Sequence, residues 1–263
     1  MAVKEVLSMV EHRPWALPEG PWVMTQWWRD LLFAHWPIEL GAIRGLVPSC
    51  LDVDSFDGNA WVAVVPFRMT GVRPRFTPAL PGLSSFAELN VRTYVKPRGG
   101  GKPGVYFWSL EADNPVAVAV ARGLFHLPYM NAEMRCEERQ GWIEYQSRRW
   151  HKGEPNAEFR GRYRGRGEAS KSELVKWLTE RYCLYTTDKR GRLYRGEIHH
   201  QPWPLMDAEC EIEVNTMARA AGIELPKSPP LLHFARTIEV LIWPLGAGGR
   251  HGDADGTGGA LKG

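Results

Sequence analysis

VYFWSLEADNPVAVAVARGLFHLPYMNAEM, residues 105–134, changes pattern several times, and its reading decides the fold. GVYFWSLEA (104–112) is rich in aromatic and β-branched residues, as strands are. DNPVAVAVARGLF (113–125) fits a strand or a helix by periodicity. Asp113 or Asn114 can cap a helix, Pro115 suits its first turn, and Val116, Val120 and Leu124 share a face, so a helix is predicted. Its many small residues would let it sit close against a sheet. The apolar run stops at Pro128, Tyr129 and Met130 follow at once, and AEMRCEE (132–138) reads as a strand again. The corner at Pro128 either packs or faces a pocket.

Working outward, a first helix is expected over Ile38–Val47, with Pro37 in its first turn and Pro48 as its stop. NAWVAVVPF (59–67) is a short buried strand, and KPRGGGKPG reads as a hairpin loop. In ELNVRTYV (88–95), Leu89, Val91, Thr93 and Val95 point one way and Glu88, Asn90, Arg92 and Tyr94 the other. The polar face is either solvated or lines a polar cavity. Further strands are expected at 141–149, 156–165, 208–214 and 235–245. A helix over 170–185 has a Ser170/Glu173 capping box and a stripe of Leu174, Trp177, Leu178 and Tyr182, and a short helix, 215–222, closes at Gly222. Many short strands with a few helices predict an α+β protein around a curved or closed sheet. Residues 1–22 read as an N-terminal arm, 23–245 as a single domain, and the Gly- and Asp-rich 246–263 as a disordered tail.

The chain has 263 residues, 44% hydrophobic and 24% charged, which is long enough for a substantial core. Its 12 Trp and 20 Pro suggest turns and aromatic-walled layers rather than a helical bundle. A formal charge of +3 is too small to imply nucleic acid or an anionic membrane. Cys50, Cys136, Cys183 and Cys210 form no C-x-x-C pair, so free thiols in a reducing compartment are expected. The N-terminus lacks the apolar core of a signal peptide, and no stretch approaches the roughly 18 apolar residues of a membrane span. A cytoplasmic location follows.

RGRYRGRG (160–167) invites a nucleic-acid reading, but Arg160, Arg162 and Arg164 alternate with Phe159, Gly161 and Tyr163, as on a strand with a solvated outer face. His199 and His200 are adjacent, so on a strand at most one faces a given site, and no ligand-spaced partner stands nearby; no metal is expected. There is no G-x-S-x-G elbow, no Walker loop and no G-x-G-x-x-G after a strand.

AIRGLVPSCLDVD (42–54), FAELNVRTYV (86–95), the run 105–134, HHQPWPL (199–205) and PPLLHFARTIEVLIWP (229–244) resemble the YqjF-like bacterial family, a domain of unknown function. The resemblance spans Trp22 to Trp243. More remotely the family is similar to acetoacetate decarboxylases, through Arg44, Val47 and Pro48 and the run from Asp113 to Pro128. That similarity implies a β-rich, cone-like closed barrel with flanking helices. In those enzymes a lysine follows the proline, forms a Schiff base with a keto acid, and is tuned by a second lysine. Here Tyr129 and Met130 occupy those positions. Neither a phenol nor a thioether can form an imine, so Schiff-base decarboxylation is not expected.

By the same resemblance, Arg29 matches an arginine that could anchor a carboxylate, and Glu88 a glutamate that could act as a base or position the ligand. Tyr129 could donate to a carbonyl or enolate. The candidate site is therefore Tyr129 and Glu88 as catalytic residues, with Arg29, Arg92, Met130 and Trp203 binding substrate. Structural alternatives stand beside these roles: Tyr129 as packing, Arg29 stacked on Trp28 or paired with Asp30, Glu88 neutralised by Arg92, Trp203 as a hydrophobic plug. No cofactor is implied. The expected partner is a small-molecule carboxylate, with oligomeric state left open. Three functions remain: an enzyme acting on a small oxo or carboxylic acid without an imine, a non-catalytic ligand-binding protein, or a structural protein with a filled cavity.

Overall fold

Strands dominate the computed structural model, which describes residues 3–248. In chain order these are α1 (Val3–Ser8), β1 (Met24–Ile38), α2 (Leu40–Arg44), β2 (Leu51–Val53), β3 (Ala60–Pro74) and β4 (Phe86–Pro97). Next come β5 (Gly104–Ala112), α3 (Pro115–Leu124), β6 (Tyr129–Arg139), β7 (Trp142–Arg149), β8 (Glu158–Glu168) and α4 (Glu173–Thr179). The chain continues through β9 (Cys183–Thr187), β10 (Leu193–His200), β11 (Leu205–Asn215), a 3-10 turn (Arg219–Ala221), β12 (Leu231–Ile242) and β13 (Gly246–Ala247).

The described strands form one 13-stranded sheet in the order β13-β10-β9-β5-β6-β7-β8-β11-β12-β1-β3-β4-β2. Additional pairings of β5 with β4 and of β10 with β12 join strands distant in that order, so the sheet closes on itself. Among the described strands only β5–β6 and β5–β9 pair in parallel. A parallel neighbour needs a crossover, and α3 supplies it between β5 and β6. Asn114 caps α3, its side-chain oxygen accepting from the amides of Val116 and Ala117, with Pro115 in the first turn.

Period-2 alternation divides β1 and β3 between two interiors. Leu32, Ala34, Trp36, Val62 and Val64 enter the main core, while Leu31, Phe33, Ala63, Val65 and Phe67 pack with Trp203 and Ile238 in a second one. That is why 59–67 reads as continuous apolar sequence. On β4, Leu89, Val91 and Val95 join the main core. Glu88, Asn90 and Tyr94 on the other face are also buried, so that face is not solvated. β8 does have a solvated face: Arg160, Arg162 and Arg164 pair with Glu213, Glu211 and Glu209 of β11, while Phe159 and Tyr163 are buried.

Several expectations change. The helix expected over Ile38–Val47 is only Leu40–Arg44, because β1 runs on until Pro37 and Ile38 pair with Trp61 and Ala60. The helix expected over 170–185 is Glu173–Thr179, capped by Ser172 and not Ser170. It stops where Arg181 folds back to the carbonyl of Trp177 and pairs with Asp54, and Cys183 then enters the sheet. The helix at 215–222 is a single 3-10 turn, closed by Gly222 at φ 80°. Val116, Val120 and Leu124 are exposed, and Val118 is the side chain of α3 that is buried. Gly246 and Ala247 pair with Arg195 and Tyr194; the rest of the expected tail, 249–263, lies outside the described residues. All four cysteines are free thiols.

Fully buried tyrosines anchor the closed sheet. Tyr163 donates to the carbonyl of Asp30 (2.8 Å), where β1 bulges with Asp30 at φ 52°, and Tyr145 donates to the carbonyl of Glu88 (2.7 Å). Such a hydroxyl serves a buried carbonyl that has no water to replace it. Tyr163→Phe should therefore lower unfolding free energy by about 1–3 kcal/mol, measured by urea denaturation.

Candidate functional site

The second interior is incompletely filled, leaving a cavity of about 600 Å³. That volume is typical of small-molecule sites. Gln26 and Trp28 of β1, Glu88 and Arg92 of β4 and Tyr129 of β6 reach its wall. Thr179 at the end of α4, Arg181 just after it and Trp203 after β10 also contribute. The lining is mostly apolar, and the lining residues Leu80, Leu83, Val116 and Val120 are themselves exposed, which marks the rim.

The corner at Pro128 faces this cavity. Leu110 of β5 pairs with Tyr129, and Glu88 of β4 pairs with Ala112 of the same β5, so the crossover sets Tyr129 near Glu88. The Tyr129 hydroxyl donates to Glu88 Oε2 at 2.5 Å. Burial pushes the Glu88 carboxyl up to about 8, and nearby Glu111 adds to the rise, while hydrogen bonds from Tyr129 and Asn90 oppose it. Burial, and then the charge of Glu88, hold the Tyr129 phenol well above its ordinary range. Both groups therefore carry protons at neutral pH.

Two arginines reach the wall. Arg181 is committed to Asp54 (2.9 Å) and lies over Trp177. Arg92 is different: its Nε is buried without a hydrogen-bond partner, its guanidinium lies 5.3 Å from the Phe33 ring centroid and 5.9 Å from that of Tyr94, and among the described residues no carboxylate pairs with it. Glu88 and Arg92 thus do not neutralise each other. Trp203 stacks on Trp28 with ring centroids 5.9 Å apart and donates its indole N–H to the carbonyl of Thr179.

Two candidate residues are not brought to the cavity. Arg29 alternates with Trp28, so with Trp28 inward it turns to the other face of β1, where its Nε donates to Thr70 (2.8 Å). Met130 alternates with Tyr129 in the same way, and its sulfur lies 3.9 Å from an Arg122 nitrogen. Sequence reasoning missed Gln26, Trp28 and Arg181. Alternation places Gln26 and Trp28 together on one face of β1, but Arg181 was hidden inside an over-long helix. No lysine lines the cavity among the described residues; Lys102 pairs with Glu197 at 3.1 Å.

The closed, strand-rich sheet with its α3 crossover is an acetoacetate-decarboxylase-like fold. Acetoacetate decarboxylase from Legionella pneumophila superposes with a TM-score of 0.59 at 13% identity, over 92% of this chain and 94% of that one. The enduracididine biosynthesis enzyme MppR, complexed with the condensation product of pyruvate and imidazole 4-carboxaldehyde, gives 0.60 at 11% identity over 88% and 90%. At such identities the likeness concerns the fold alone. Residues 25–239 match DUF2071, described as an uncharacterized conserved protein, and the chain belongs to that family. It is 49% identical to the uncharacterized protein YqjF of Bacillus subtilis (strain 168) over 233 residues, 88% of this chain and 94% of that protein. Among the described residues no helix is long and apolar enough to cross a membrane.

The raised carboxyl of Glu88 has a consequence for stability. The folded chain holds this proton up to about pH 8, whereas an ordinary glutamate releases it near 4.5, so the group's contribution is fully present below 4.5 and declines as pH rises towards 8. Glu88→Gln removes the titration. Its melting temperature, compared with that of the parent by calorimetry, should gain steadily on the parent's between those two pH values.

Proposed function

We propose that this protein binds a small oxo acid with an apolar substituent and moves a proton beside its carbonyl without forming an imine, as an isomerase, hydratase or lyase does. The observation that carries the reading is the Tyr129–Glu88 hydrogen bond at the wall of a cavity that Arg92 also lines. Arg92 would take the substrate carboxylate by a charge-assisted pair, a role that Arg29 cannot fill from its face of β1. The phenol that donates to Glu88 would turn to the substrate carbonyl, and the carboxylate it leaves would take the proton from the adjacent carbon. The apolar lining would hold the substituent and keep water away. A fold neighbour, MppR, has been solved with pyruvate, which agrees with an oxo acid as the ligand class.

The mostly apolar wall and the stacked Trp28–Trp203 pair also suit a second reading, a binding protein that performs no chemistry. One experiment separates the two. Pyruvate and its longer-chain homologues are incubated with the protein in D2O, and exchange at the carbon beside the carbonyl is followed by NMR. Catalysis predicts exchange above background, lowered about a hundredfold or more in Glu88→Gln and Tyr129→Phe. Its rate should rise with pH to a plateau above about 8, because the base must be ionised. Binding seen by thermal shift without any exchange would leave the second reading. Arg92→Gln should weaken carboxylate binding about ten- to a hundredfold on either reading. Borohydride added with the oxo acid should leave the intact mass unchanged, and a stable adduct would overturn the imine-free mechanism.

A further inference from the structure

Behind the cavity wall lies a group of side chains that the proton-transfer reading does not use. His12, between α1 and β1, Glu180, just after α4, and His200, at the end of β10, each present one ligand atom, and these atoms all lie within 4.8 Å of one another. A tetrahedral zinc site with bonds of about 2.0–2.1 Å sets its ligand atoms roughly 3.3 Å apart. A modest contraction would therefore complete the set. His12 and Glu180 are half-buried on irregular segments that can supply it, whereas His200 is fixed in the sheet.

The hydrogen bonds decide which ring nitrogens are available. His12 Nε2 lies 2.9 Å from the carbonyl of His200, and His200 Nδ1 lies 2.6 Å from the carbonyl of Gln201. A carbonyl can only accept, so both of those nitrogens carry the proton. The lone pairs are left on His12 Nδ1 and His200 Nε2. Imidazole ligands in metal sites are held in this way, with the distal N–H given to a carbonyl. His200 Nε2 is fully buried and has no hydrogen-bond partner, a costly state for a polar atom that nothing else nearby relieves. Glu180 is oriented from outside the set by the Tyr182 hydroxyl and the backbone of Trp203. His199 serves as an internal contrast: its Nε2 donates to the carbonyl of Val6 and its Nδ1 accepts from Arg13, so no lone pair remains. Arg13 is the unfavourable neighbour, but its guanidinium sits 4.2 Å from the Tyr182 ring centroid and is tied to the carbonyls of Trp15 and Ile198.

We propose that His12, Glu180 and His200 bind one divalent cation of the zinc class, with a fourth position open to water. Two imidazoles and a carboxylate are a donor set that zinc accepts. The cation ties the N-terminal arm to the wall of the cavity, because Thr179 and Arg181 flank Glu180 and Trp203 packs 5.0 Å from His200.

Untagged full-length protein, stripped with a chelator, is titrated with Zn2+ against a chromophoric competitor, and separately with Co2+ in the visible range. The expected result is one equivalent bound, a raised melting temperature and the intense Co2+ bands of a four-coordinate site. His12→Ala and Glu180→Gln should each lose tenfold or more in affinity, while His151→Ala and His251→Ala should not. Because a variant could unfold, X-ray absorption at the zinc edge of the unaltered protein gives a second measure, expected to show two imidazoles and no sulfur. Absence of stoichiometric binding, binding indifferent to His12 and Glu180, loss in His251→Ala, or sulfur in the shell would each overturn the proposal.

Discussion

The parallel pairing of β5 with β6 governs the rest of the molecule. Parallel neighbours cannot be joined by a tight hairpin, so the chain must leave the sheet after Ala112, cross over as α3 and return at Tyr129. With β4 on one side of β5 and β6 beginning on the other, the return point decides which side chain stands next to Glu88. A return one residue later would turn Met130 inward and Tyr129 out. The same β5 also takes β9 in parallel, at Val105 and Tyr106, and this second pairing carries the chain from α4 past the cavity wall.

Closing a sheet around two interiors obliges some charges to live inside, and most of these acids are answered by arginine. Glu111 is buried and pairs with Arg149, Asp30 with Arg68 and Arg236, and Asp54 with Arg181. Truncating one member of such a pair would strand the other, the costliest outcome for a buried charge. Glu88 receives no cation; it meets a phenol and stays protonated. A carboxyl held neutral at the wall of a cavity is a poor device for stability alone, which is the physical reason to connect it with the proposed ligand.

Much of this was legible in the sequence wherever pattern and local chemistry coincide. Asn114 and Pro115 announced α3 against the ambiguity of VAVAVA, and the alternation of 88–95 separated Glu88 from Leu89 correctly. The resemblance to acetoacetate decarboxylases supplied the fold and pointed to Tyr129 and Glu88 separately; their hydrogen bond is visible only in the structure. Arg29 and Met130 are not among the cavity's lining residues, since spacing to a remote relative does not preserve which way a strand residue points. Helix ends failed where tertiary contacts prevailed: Arg181, drawn to Asp54, shortens a helix whose periodicity continued to Tyr182. The exposure of the stripe Val116, Val120 and Leu124 could not be anticipated, because periodicity finds an apolar face without saying what it meets.

Asp30 concentrates several duties in one residue. Its backbone takes a left-handed turn at φ 52°, its carbonyl receives Tyr163, and its carboxylate holds Arg68 and Arg236, drawn from β3 and β12 on either side of β1. Asparagine or glycine could follow the turn, but only an acid satisfies both guanidinium groups. Evolutionary drift at this position is therefore chained to two partners distant in sequence. Among homologues, loss of the acid should travel with loss of both arginines, leaving a covariation triplet in place of three independently varying sites.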